Sequence, residues 1–123
     1  MVYEAINKNN NFRKDIRLCS QIQSASGSVM ANIAEGFVRH SDKEFIQFLF
    51  IAMSSAAEVQ SHLYIALDQD YVIRSDFDKI YSQADKTAKM ISNLIKYLRS
   101  SIGTKQTKQT KQTKQTKQTK QEV

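Results

Sequence analysis

No proline interrupts the 123 residues of this chain, and it holds only three glycines. Turn-rich sandwiches and barrels need those residues at their corners, so a chain without them is directed toward long helices. The apolar residues agree. Leu18, Ile22, Ala25, Val29, Ile33 and Phe37 recur in steps of three and four, which places all six on one stripe of a helix. Ser20, Ser24, Ala25, Ser26, Gly27, Ser28, Ala31 and Ala34 lie on the same stretch. Such small residues let a neighbouring helix come close and leave little room for a cofactor. Glycine costs about 1 kcal/mol relative to alanine inside a helix, so Gly27 is expected to have a packing reason.

The next helix has the clearest start signal. Ser41-Asp42-Lys43-Glu44 is a capping box, and its two acids suit the positive end of a helix dipole. The pattern predicts a helix over Asp42 to Asp68 with two apolar stripes. One is Phe45, Phe48, Leu49, Ala52, Ala56, Val59, Leu63 and Ala66. The other is Ile46, Phe50, Met53, Ala57, Tyr64 and Leu67. A helix on the outside of a monomeric bundle needs one stripe. Two stripes mean a central helix or one that meets another subunit, and in so small a domain the subunit contact is the expectation, with Ile46, Phe50, Met53, Ala57 and Tyr64 as its face.

Residues 69–74 form a short connection, which favours antiparallel neighbours. Ser75-Asp76-Phe77-Asp78 repeats the capping logic, and a last helix is predicted over Asp76 to Ile102, with a stripe of Phe77, Ile80, Tyr81, Ala84, Ala88, Ile91, Leu94, Ile95, Leu98 and Ile102. Gly103 stands where a glycine ends a helix, and Lys96 and Arg99 suit the negative end of the dipole. At the other terminus Val2, Tyr3, Ala5 and Ile6 supply one or two helical turns before the asparagine-rich run 7–11 breaks the pattern. The expected fold is all-α: three long helices and a stub, an incomplete four-helix bundle.

The formal net charge of +6 divides unevenly. From Thr104 to Gln121 the chain reads Thr-Lys-Gln six times, with Lys105, Lys108, Lys111, Lys114, Lys117 and Lys120. Residues 1–103 hold 12 basic and 11 acidic side chains, so the high pI belongs to the tail. A three-residue polar repeat has no apolar face at any period, and 104–123 is expected to be disordered beside a folded domain of 1–103. Six lysine–phosphate contacts would make log affinity fall against log salt with a slope of about −4 to −5. Nothing resembles a signal peptide or a membrane span, and one cysteine suggests no disulfide framework, so a cytoplasmic protein is expected.

Catalytic and metal chemistry find little support. His40 and His62 are far apart in sequence with no paired ligand near either, and a zinc site needs about four. Cys19 has no histidine beside it in sequence, so a small buried side chain is the better reading. Glu35, Glu44 and Glu58 lack the Glu-x-x-His pattern of di-iron bundles. Glu44 reads as a cap, while Asn32 and Glu35 read as satisfying backbone groups or each other. No phosphate loop, nucleophile elbow or dinucleotide fingerprint is present. The expectation is no enzyme, no cofactor and no metal. Arg13, Lys14 and Arg17, with Arg39, are a candidate phosphate-binding cluster, and the tail lysines are a second. Helical spacing places Tyr64 and Tyr81 in packed stripes rather than on a platform for bases.

Between Leu18 and Tyr71 a set of residues resembles a bacterial family. They are Gln21-Ile22, the run Ser28 to Phe37 with Asn32-Ile33-Ala34-Glu35-Gly36, Arg39 and Ser41. After these come Lys43-Glu44-Phe45 with Phe48-Leu49, Ser55 with Glu58, and Leu63. The family is that of four-helix-bundle proteins encoded in intervening sequences of large-subunit (23S) ribosomal RNA genes, and it is similar to the accessory protein of diversity-generating retroelements. The resemblance implies an up-down four-helix bundle assembling as a homo-oligomeric ring, typically a homopentamer. It marks Asn32, Glu35, Gly36, Ser41, Glu44 and Glu58 as the family's structural motif. Two departures stand out. The first helix is truncated, with only Met1 to about Asn7 standing in for it, as if the chain began at an internal methionine or had lost a segment. Val38 also stands where the family usually has glycine. Together the residues and the resemblance lead to an RNA-associated, non-enzymatic oligomeric scaffold. The alternative is a protein-interaction adaptor, for example for a reverse transcriptase, with no nucleic-acid contact of its own.

Overall fold

A computed structural model describes residues 1–103 in full and the backbone course of 104–122. Five helices follow one another: α1 (Val2–Asn7), α2 (Asn10–Lys14), α3 (Ile16–Phe37), α4 (Asp42–Asp68) and α5 (Arg74–Glu122). No strand occurs among the described residues. The disorder expected for 104–123 lies outside the residues described in full.

α4 is the central element, with α3 and α5 both packed against it. Its first apolar stripe is the spine of the molecule: Leu49, Ala52, Ala56, Leu63 and Ala66 are 0–1% exposed. The start signal is accurate, since Ser41 is the N-cap and its Oγ accepts from the Glu44 amide at 3.2 Å. The stripe of α3 is buried from Leu18 to Val29, whereas Phe37 at its end is 76% exposed.

Two apolar clusters divide the core along its length. The lower one joins Val2, Ala5, Ile6 and Phe12 to Leu18, Ile22, Leu63, Phe77 and Ile80. The upper one joins Val29, Leu49 and Ala52 to Ile91, Ile95 and Leu98. The lower cluster shows why the asparagine-rich run does not simply break the chain. Asn9 caps α2, its side chain accepting from Phe12 N at 2.9 Å, and Asp15 caps α3, accepting from Leu18 N at 3.1 Å. Between these caps Phe12 turns inward, 1% exposed, and stacks on Tyr71 with centroids 5.3 Å apart.

α4 ends in a Schellman turn. Asp70 takes a left-handed φ of 59°, Asp70 N bonds Leu67 O at 3.0 Å and Tyr71 N bonds Ala66 O at 2.8 Å. This aims Tyr71 at the N-terminal segment, where its hydroxyl donates to Asp15 Oδ2 at 3.0 Å.

Three local expectations are corrected. α5 begins at Arg74, with Phe77 N on Ile73 O at 3.0 Å, so Ser75 lies inside the first turn and not at a cap. Gly103 lies within α5 and has no positive φ, so it does not end the helix. Gly27 has no packing reason, because a Cβ built there meets nothing within 4 Å. The close approach is at Gly36, where a Cβ would stand 2.8 Å from both Phe48 Cβ and Phe45 Cδ2.

Candidate functional site

The basic candidates do not form one cluster. Arg13 and Lys14 end α2, and Arg17 opens α3; all three are exposed. Arg39 follows the far end of α3, and 22 helical residues at about 1.5 Å each put roughly 33 Å between it and the others. Arg39 is also engaged locally. It pairs with Glu35 one turn earlier, and its guanidinium lies over the Phe48 ring, 4.9 Å from the centroid.

Charge at the Arg13 end is balanced. Lys8, Arg13, Lys14, Arg17, Arg74 and Lys79 share that end with Glu4, Asp15, Asp68, Asp70, Asp76 and Asp78. Lys8 pairs with Asp76 at 3.4 Å and Arg74 with Asp78 at 3.1 Å, while Arg13 donates to Asn10. Phosphate attraction needs a surplus of cations, and this end does not supply one.

The motif residues make structural contacts. The Asn32 amide donates to Ser28 O at 2.8 Å and to Ser28 Oγ at 2.9 Å, and Ser28 Oγ bonds the hydroxyl of buried Ser55 across the α3–α4 contact at 2.8 Å. Gly36 lets α3 touch α4 at the phenylalanine pair. Glu58 is exposed on α4. Asn32 therefore satisfies backbone and serine groups, while Glu35 takes Arg39 as its partner.

The proposed subunit face is divided by its surroundings. Ile46, 8% exposed, and half-buried Met53 belong to the upper cluster with Ile91, Ile95 and Leu98. They are core residues, and a polar substitution at Met53 would damage the protomer itself. Phe50, Ala57 and Tyr64 stay exposed, joined on the outer side of α4 by Ser54, Ser61 and Ile65. Phe50 is 39%, Ile65 47% and Tyr64 51% exposed. Tyr64 is thus not enclosed in a stripe. Its ring leans on Phe77 and Tyr81, at 5.2 and 5.6 Å, and hydrogen bonding to Tyr64 holds the Tyr81 phenol above its ordinary value. The Arg99 guanidinium lies over the Phe50 ring, 5.1 Å from its centroid.

The remaining reactive groups are enclosed or isolated. The Cys19 thiol is buried and donates to Phe12 O at 2.9 Å, and burial, with Asp15 nearby, raises its pKa. A thiol so held is a poor nucleophile. His40 is exposed. His62 is half-buried, and its Nδ1 is enclosed without a hydrogen-bond partner among the described residues. Among the described residues no three His, Cys, Asp or Glu side chains converge as metal ligands. No helix among them is long and apolar enough to cross a membrane.

A family model described as 23S rRNA-intervening sequence protein matches residues 1–93. The chain belongs to that family. The match takes in the stub α1 and α5 as far as residue 93, and it stops before the lysine repeat. Among solved structures, a protein of unknown function from the S23 ribosomal protein family of Bacteroides thetaiotaomicron is similar. It is 26% identical, with a TM-score of 0.69, over 77% of this chain and 91% of its own. No curated protein sequence matches at a significant level. The family resemblance read from Ser28–Phe37 and the α4 start is thus established, and so is the all-helical class.

Proposed function

We propose that this intervening-sequence protein is a non-enzymatic scaffold that assembles through the outer side of α4 and holds RNA through its lysine repeat. The observation that carries this reading is the composition of that outer side. Phe50, Tyr64 and Ile65 are 39–51% exposed, with the small residues Ser54, Ala57 and Ser61 between them. A helix presenting small residues at its centre and apolar ones at its ends suits close packing against another copy. α4 is about 40 Å long at roughly 1.5 Å per residue, enough to contribute to the ~800 Å² per partner of a standard interface. The up-down bundle and five-membered ring of the family pattern are the architecture we assign to it.

The RNA role rests on charge. The folded body carries 12 cations and 11 anions, and the repeat adds six lysines. Repetition around a ring multiplies weak phosphate contacts through avidity. A second reading, an adaptor for another protein without nucleic-acid contact, is favoured by the neutral Arg13 end.

One set of measurements tests both. Native mass spectrometry and sedimentation at micromolar concentration give the assembly; Ala57→Arg is expected to dissociate it while helix content is retained. Filter binding to RNA compares the wild type with a full-length variant carrying glutamine at the six repeat lysines. Salt-dependent binding lost in the variant supports the scaffold reading. Absence of binding by the wild type at low salt leaves the adaptor. A wild-type monomer removes the assembly proposal.

A further inference from the structure

α3 keeps one side free of the rest of the protomer. Its Ser28 hydroxyl bonds Ser55 on α4 at 2.8 Å, and Ser26 and Val29 line a groove of about 240 Å³ between α3 and α5 beyond Met1. At about 100° per residue, Ala31 points nearly opposite to Val29, away from that groove. Arg17, Ser20, Ser24, Gly27, Ala31 and Ala34 follow one another along this free side in alternating steps of three and four, and all are exposed. After Arg17 no side chain in this seam is larger than serine, and α3 carries no charge from Leu18 to Ala34. α4 has a matching seam on its outer side. Ile51, Ser54, Glu58, Ser61, Ile65 and Asp68 are spaced in the same alternation and are likewise exposed. Here large residues stand out, Ile51 at 49% and Ile65 at 47% exposure, and both charges are acidic. Alternating steps of three and four are the spacing of helices that cross at about +20° and interlock.

We propose that the outer side of α4 packs on the free side of α3 in a second copy of the chain, so that each protomer offers a different surface to each of its two neighbours. This contact rests on the assembly through α4 proposed above and names what that side meets. Charge makes the choice. Two α4 seams paired about a two-fold axis bring like acids together. At full overlap an antiparallel pair sets Glu58 within a turn of its own copy, and a parallel pair sets both Glu58 and Asp68 against theirs. The α3 seam holds no acid and has one cation, Arg17. Heights agree as well. The Ser28–Ser55 hydrogen bond fixes the register of α3 against α4 and places Asp68 about two residues, or about 3 Å, from the level of Arg17. Copies standing side by side at one height therefore bring Asp68 to Arg17 of the next copy. Neither residue has an ion pair of its own among the described residues. In the same register Ile51 falls between the levels of Ala31 and Ala34, Glu58 between Ser24 and Gly27, and Ile65 between Arg17 and Ser20. Each larger side chain of α4 thus meets a gap in the α3 seam. A contact between unlike surfaces with no shift along the helix axes closes into a ring and does not climb into a filament.

The test uses the full chain in sedimentation and native mass spectrometry at micromolar concentration. Ala31→Arg is expected to dissociate the assembly as Ala57→Arg does, while circular dichroism shows the helix content retained. The two variants block opposite surfaces. Mixed in equal amounts they should form a 1:1 heterodimer, in which the intact α4 side of Ala31→Arg meets the intact α3 side of Ala57→Arg. Charge exchange reads the register. Arg17→Asp and Asp68→Arg should each raise the protein concentration at half-assembly by about threefold or more, and the double variant should return it to within about twofold of the wild type. Ala31→Arg assembled like the wild type while Ala57→Arg is dissociated would overturn the α3 contact and leave α4 paired with itself. A mixture that stays monomeric, or a double variant no better assembled than the single ones, would also overturn it. A monomeric wild type, or Ala57→Arg that stays assembled, would remove the α4 assembly and this contact together.

Discussion

Two glycines in one helix offer a measurement in which most unknowns cancel. Gly27 and Gly36 both lie in α3, and each replacement by alanine gains helix propensity, about 1 kcal/mol in the interior and somewhat less near the end. At Gly27 nothing lies within 4 Å of the new methyl, so Gly27→Ala should stabilise by nearly that full amount. At Gly36 the methyl would stand 2.8 Å from Phe48 Cβ, which is anchored to the α4 backbone and cannot swing away as a ring edge can. Overpacking of this kind costs about 1–3 kcal/mol. Gly36→Ala should therefore be neutral or destabilise by up to about 2 kcal/mol, and the two variants should differ by about 1–3 kcal/mol, or roughly 4–8 °C in Tm for each kcal/mol in a body near 100 residues. Urea unfolding at matched protein concentration reads the difference without interference from assembly. Equal stabilisation by both replacements would refute the close approach of α3 and α4 at the phenylalanine pair.

Three further outcomes are expected. Phe12→Ala should cost about 3–5 kcal/mol in urea unfolding, because the ring is 1% exposed and fills the lower cluster; a cost below about 1 kcal/mol would mean that the N-terminal segment is not docked. Asp70→Gly should stabilise by about 0.5–1 kcal/mol by relieving the left-handed φ of 59°, and unchanged stability would count against the Schellman turn. Tyr71 has a raised pKa, chiefly from its hydrogen bond to the Asp15 carboxylate, so its contribution is present below the ordinary phenol value near 10 and is lost as pH rises through the higher folded value. The alkaline fall in wild-type stability should accordingly be shallower in Tyr71→Phe, and identical pH profiles would show that this hydrogen bond does not form.

α4 was legible to its boundaries because its signals are local: Ser41 and Glu44 mark the start, and an uninterrupted stripe of small and large apolar residues marks the core side. Phe12 was not, because the asparagine run around it reads as a break. The usable signal was the cap spacing, Asn9 three residues before Phe12 and Asp15 three before Leu18, which announces two short helix starts in place of one gap. Gly27 drew attention as a mid-helix glycine, yet it faces solvent; the glycine that matters sits in the last turn, where only the position of α4 shows the need for it. The stripe from Ile46 to Tyr64 lies on the edge of the α4–α5 contact. There the neighbour decides each residue separately: Ile91, Ile95 and Leu98 cover Ile46 and Met53, while Tyr64 rests on two rings and stays half open. Periodicity fixes the side of a helix but not what the next helix presents to it. The separation of Arg39 from Arg13 and Arg17 was available from helix length alone.

The two sides of α4 face different surroundings. Ala56 and Val59 form the floor of the groove between α3 and α5, while Phe50, Ala57 and Tyr64 look outward. At about 100° per residue, Val59 and Ser61 point to nearly opposite sides of the helix. Assembly through the outer side, as proposed, would leave the α3–α5 side of each protomer untouched. The lysine repeat follows the opposite end of the molecule from Arg13, because α5 runs from Arg74 beside α4's last turn toward α4's first. Arg39 and Arg99 stand at the end where the fully described part of α5 stops, and the charge-balanced end is left to α1, α2 and their caps.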